Sequence, residues 1–157
     1  MKAVFTLLLV SAHFFSAAQQ IDFNHQKGYI AGGYDVVAYF TNKALKGSTK
    51  YEYRFQGAKY KFSSQANLET FKSNPDKYIP QYGGWCAYAM ADKGEKVSVN
   101  PKTFEIRDGK LFLFYNAFFD NTFESWLEQK PKELIKKADA NWSAIKFKSW
   151  TIYDASR

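Results

Sequence analysis

The sequence predicts a small α+β domain, and three features of the 157 residues carry that expectation. Two segments alternate apolar and polar residues on either side of a glycine turn, as β-hairpins do. Downstream of the second hairpin the apolar spacing changes to that of helices. Between the two hairpins, a Gly-Gly pair and a later glycine bracket a short run suited to one further helix.

Taken in order, GYIAGGYDVVAYF (28–40) reads as a glycine-rich loop leading into a short extended or helical piece. YEYRF (51–55) and KYKF (59–62) alternate around Gln56-Gly57-Ala58 and form the first expected hairpin. Ser63 and Ser64 suit a helix N-cap, QANLETFKS places Leu68 and Phe71 at helical spacing, and Pro75 is expected to end that helix. GGWCAYAMADKG (83–94) predicts a short helix opened by Gly83-Gly84 and closed by Gly94. Phe104–Arg107 and Lys110–Tyr115 flank Asp108-Gly109, the strongest short hairpin signal in the chain. NTFESWLEQ and PKELIKKADANWSAIK follow as helices, the second with Pro131 in its first turn and an apolar stripe of Leu134, Ala138, Trp142 and Ile145.

The N-terminus carries an export signature. Lys2 precedes the apolar run AVFTLLLVSAHFF, which is short for a membrane span, and Ser16 and Ala18 present small residues for cleavage before Gln19. Residues 1–18 are therefore expected to be a signal peptide and 19–157 a single domain with no transmembrane segment, periplasmic or secreted. The net charge is +7, of which Lys2 contributes one. The lysines are scattered and arginine occurs only at 54, 107 and 157, so no basic stripe for nucleic acid is expected.

Cys86 is the only cysteine, so an exported chain has no internal disulfide to form. Three readings are open: a small buried hydrophobe, a soft metal ligand or redox thiol, or a cross-link between two chains in a homodimer. On the expected helix Cys86 and Met90 are four residues apart, hence on one face. Thiolate plus thioether suits copper(I) better than zinc or hard cations. Aromatic residues make up 19% of the chain, more than a core of this size requires, so some should line a cleft. Tyr34, Tyr82, Trp85 and Tyr88 are the candidates, with Asp35 as polar anchor.

The order GYDVVAYF (33–40), YEYRFQGAKYKFSS (51–64) and FKSNPDKYIPQYGGWCA (71–87) resembles the YHS domain, and more closely the exported bacterial YHS-domain proteins. These continue through a segment similar to DGKLFLFYN (108–116), and the resemblance runs from about residue 28 to 145. It implies a treble-clef-like core related to heavy-metal-binding domains, followed by C-terminal helices. Where metal-binding members carry Asp-Pro-Val-Cys, this chain reads Asp35-Val36-Val37-Ala38, and where they carry a cysteine after Tyr-x-Phe it has Ser63. The inherited thiols are absent, and a metal would have to use Cys86.

Nothing in the chain spells a nucleophile elbow, a phosphate-cradling glycine loop or HExxH. Residues 19–157 hold one histidine, His25, as the only imidazole base. An enzyme is not expected. Two functions are: an exported binder of a soft metal such as copper through Cys86 and Met90, or a metal-free module whose aromatic cleft holds a small molecule or a partner protein.

Overall fold

A computed structural model of the chain describes residues 19–147. The expected signal peptide, residues 1–18, lies outside the described residues.

Turn chemistry builds the sheets. Lys27-Gly28 joins β1 (His25–Gln26) to β2 (Tyr29–Ile30), and Gln56-Gly57 joins β3 (Ser48–Phe55) to β4 (Ala58–Phe62). Both residues of each pair have positive φ, which glycine adopts without penalty and which matches the strand twist of a two-residue hairpin. Ala58, expected in the turn, is instead the first residue of β4 and is fully buried.

Between β4 and the second large hairpin the chain is helical. α1 (Gln65–Ser73) starts where the Ser64 hydroxyl accepts a bond from the Asn67 amide at 3.1 Å, and it buries Leu68 and Phe71 as their spacing predicts. Pro75 does more than close this helix: it occupies the first turn of a short α2 (Pro75–Tyr78), where its missing N–H has no bond to lose. A single-turn 3₁₀ segment, Gln81–Gly84, then leads to α3 (Ala87–Asp92), with Gly94 at positive φ just beyond it.

β5 (Asn100–Arg107) and β6 (Lys110–Phe114) pair in the register that Asp108-Gly109 dictates. A last small hairpin, β7 (Asn116–Ala117) and β8 (Asp120–Asn121), turns through Phe118-Phe119. α4 (Thr122–Glu128) is capped by the Asn121 side chain, and α5 (Pro131–Ile145) opens on its proline as expected. The described residues thus contain four antiparallel strand pairs rather than two. The two extra pairs have strands of two residues, too short to show a period. The α+β class holds.

Two apolar clusters meet at β6. Leu111 and Leu113 enter one, with Val36, Phe62 and Phe71, while Phe112 and Phe114 enter the other, with Met90, Trp126, Leu134 and Ala138. Alternation along a strand sends successive side chains to opposite faces, and here both faces are covered. The α5 stripe behaves as predicted: Leu134 and Ala138 are buried, and Trp142 and Ile145 pack at the edge of the second cluster.

Gly109 has φ +72° after Asp108 at +51°, and a Cβ there would meet nothing within 4 Å. Any cost of substitution is therefore conformational. Gly109→Val is expected to lower stability by about 1 kcal/mol or more, because a β-branched residue resists positive φ. An unchanged urea midpoint would contradict this.

Candidate functional site

The thiol is held inside the fold. Cys86 is fully buried, its amide donates to the Val97 carbonyl at 2.9 Å, and its backbone bridges Leu113 on β6. Sγ accepts from the Tyr115 amide at 3.3 Å and lies 3.4 Å from the Thr122 hydroxyl. Thr122 gives its single hydroxyl proton to the Tyr115 carbonyl at 2.8 Å, so the thiol is the donor to Thr122. The sulfur thus accepts one hydrogen bond and donates another, both within the fold.

Met90 does not share that environment. Cys86 is the N-cap of α3, with φ −58° and ψ 120°, and so stands outside the helix to which the four-residue rule applies. Its side chain joins the first cluster, whereas Met90, equally buried, joins the second. Among the described residues no three of His, Cys, Asp and Glu gather as a metal would need. A thiol committed to two hydrogen bonds, with no second donor of its kind beside it, does not fit a soft metal ion.

Burial leads to a specific expectation for the thiol. A thiol-reactive dye should label Cys86 slowly in the native protein and completely in denaturant, since attack requires an accessible thiolate. Stoichiometric labelling within minutes under native conditions would refute this placement.

Asp35 is also committed. Its carboxylate is fully buried and accepts from the amides of Val37 (2.9 Å), Ala38 (3.3 Å) and Ser63 (2.8 Å), the Ser63 hydroxyl (2.6 Å) and the Asn67 amide group (2.7 Å). Five donors leave it no capacity to anchor a ligand. They tie the loop after Tyr34 to the end of β4 and the first turn of α1.

The four candidate aromatics separate. Tyr34 packs against the first cluster and Tyr88 touches both clusters, its hydroxyl accepting from Gln129 at 2.9 Å. Trp85 donates its indole N–H to the Asp22 carbonyl at 2.8 Å. Tyr88 borders a recess of about 290 Å³ beside Asp92, Glu95 and Tyr115, while Tyr82 lines a separate cleft of about 280 Å³ between the N-terminal segment, the Ile79–Gly83 turn and α5. Its apolar walls are Ile21, Phe23, Ile79 and the Trp142 ring.

Polar groups reach this cleft from Gln56 at the β3–β4 turn, from Gln81 and from one face of α5. Asp139, Trp142, Ser143 and Lys146 recur at helical spacing on one face and all reach it. Tyr82 donates its hydroxyl to Asp139 Oδ1 at 3.0 Å. Burial first, and then the Asp139 charge, push the Tyr82 phenol well above the usual tyrosine range, so it remains a neutral donor. Lys146 makes no ion pair among the described residues. Gly83 lets the backbone pass under Trp142, since a Cβ there would sit 3.0 Å from the indole. A larger recess, of about 490 Å³ between Tyr39, Phe104 and Phe123, offers Glu105, whose carboxylate already holds Arg107 and the Trp126 indole.

Sequence spacing assigned Trp142 to the core and passed over Asp139 and Lys146. Their common helical face was readable; the segments opposite it were not.

Residues 36–82 match the family model of the YHS domain. The YHS segment thus begins beside the buried Asp35 carboxylate and ends at Tyr82 in the cleft wall. Cys86, the β5–β6 hairpin and α5 lie beyond it, so the cleft combines the end of the YHS segment with elements outside the match. No curated protein and no solved structure matches the chain. No helix of the described residues is long and apolar enough to cross a membrane.

Proposed function

We propose that the protein is an exported, non-catalytic binding module that holds a small amphipathic organic ligand in the cleft of Tyr82 and Trp142. Export rests on the charge, length and small-residue pattern of residues 2–18. The observation that carries the binding reading is the cleft itself. Aromatic and aliphatic walls surround a few convergent polar groups, and Lys146, which makes no ion pair among the described residues, supplies a cation beside the Phe147 ring. A ligand with an apolar ring or chain and an anionic end fits this chemistry.

YHS domains suggest metal binding, but the copper reading finds little support in these side chains. The two family cysteine positions hold Ala38 and Ser63, Ser63 serves Asp35, and Cys86 is bonded to Tyr115 and Thr122. Metal retention in native mass spectrometry that disappears in Cys86→Ser would restore it.

Titration with the anionic dye anilinonaphthalene sulfonate tests the cleft. Saturable fluorescence is expected, weakened about tenfold or more by Trp142→Ala and also by Lys146→Glu. Absence of saturable binding, or identical titrations for all three proteins, would overturn the proposal.

A further inference from the structure

Phe118 and Phe119 form the tip of the β7–β8 hairpin and are essentially fully exposed, at 97% and 107% of their reference surface. Two adjacent phenylalanines standing in water are already unusual for a soluble surface. The backbone adds an independent observation. The three other two-residue turns place glycine second, in Lys27-Gly28, Gln56-Gly57 and Asp108-Gly109, whereas this one has none and holds Phe118 at φ +56°. A bulky side chain in the left-handed region is strained, and such strain persists where the surroundings enforce it.

The surroundings do enforce it. The Asn100 side chain donates to the Asn116 carbonyl and the Asn116 side chain to the Thr103 hydroxyl, both at 3.1 Å, which pins β7 to β5. The Thr122 amide donates to the Tyr115 carbonyl at 3.1 Å, closing the base of the hairpin at α4. A braced platform therefore presents two aromatic rings that contribute nothing to the core.

We infer that the Phe118-Phe119 tip inserts into the interfacial layer of an anionic lipid surface. The shape of the tip favours lipid over protein. Two phenylalanines bury roughly 300–500 Å² together, about half of what one partner contributes to a stable protein interface. A narrow convex tip of this kind needs no matching pocket in a bilayer. Charge supplies the second attraction that membrane association requires, because the chain is +7 with Lys2 and +6 over residues 19–157. Within the hairpin the only charge is Asp120, and Lys102 is exposed on the β5 strand that braces it. The basic surface as a whole draws the protein to the lipid, and the rings hold it there.

Vesicle co-sedimentation decides this, using the processed chain from Gln19 to Arg157 in its wild-type form and with Phe118→Asn and Phe119→Ser combined. Asparagine tolerates the backbone at 118, so the variant keeps its turn, and its circular dichroism should match wild type. With vesicles of phosphatidylcholine containing one-third phosphatidylglycerol, the wild type is expected to bind at least about tenfold more strongly than the variant. On phosphatidylcholine alone both should bind weakly, and added salt should weaken wild-type binding. In a Phe119→Trp protein the added emission should shift to the blue when anionic vesicles are present. Equal binding by wild type and variant would mean that charge alone acts. No vesicle binding, or loss of self-association in the variant as the only change, would mean that the tip meets protein. Either result overturns the inference.

Discussion

Asp35→Ala is expected to destabilise the protein by roughly 3–5 kcal/mol, read as a lower urea midpoint with an unchanged slope. The loss comes from donors left behind rather than from one missing bond. The buried Val37 amide and the part-buried Ser63 amide would lose the acceptor that Asp35 gives them, while the Ser63 hydroxyl and Asn67 can partly satisfy each other across 3.4 Å. Asp35→Asn should recover only part of the loss. Oδ2 faces three donors, and an amide group turned that way would oppose N–H to N–H. A change below about 1 kcal/mol for Asp35→Ala would show that the network is not a structural tie.

Phe71→Ala is the other large effect, at about 3–5 kcal/mol. The ring is fully buried and has four aromatic neighbours, with centroids at 4.8 Å (Tyr60), 5.1 Å (Phe62), 6.0 Å (Phe55) and 6.2 Å (Tyr53). Those neighbours come from both strands of the β3–β4 hairpin, so one α1 side chain packs against both strands. Removing it opens a cavity that stiff rings refill poorly. Phe71→Leu should cost distinctly less, because most of the volume remains. Thermal unfolding of the two variants side by side checks the order. Equal melting temperatures would contradict the assigned packing.

Several parts of the fold were legible because they depend on neighbours in sequence. Asp108-Gly109 set a turn and with it the register of two strands. Ser64 and Pro131 marked helix starts by satisfying or omitting N–H groups, and Leu134 and Ala138 marked the inner face of α5. The Phe118-Phe119 turn escaped because it contains none of the residues that turns favour, and its strands are two residues long. Cys86 and Met90 were paired by a spacing that holds only when both residues are helical, and Cys86 is the cap.

What the amino-acid sequence determined by itself was the α+β class, the two long hairpins, the starts of α1 and α5 and the apolar stripe of α5. Each follows from backbone preference or a period of a few residues. The tertiary structure alone decided where the chemistry went. It set Ser63 and Asn67 against Asp35 across about thirty residues of chain and gave the Cys86 thiol to Tyr115 and Thr122. It also brought Gly47 so close to Lys61 that a Cβ would overlap the Lys61 backbone. The cleft arose the same way, with Ile21 and Phe23 on one side and Trp142 and Lys146 on the other. Contacts between segments this far apart depend on how the elements pack, and no local spacing encodes that.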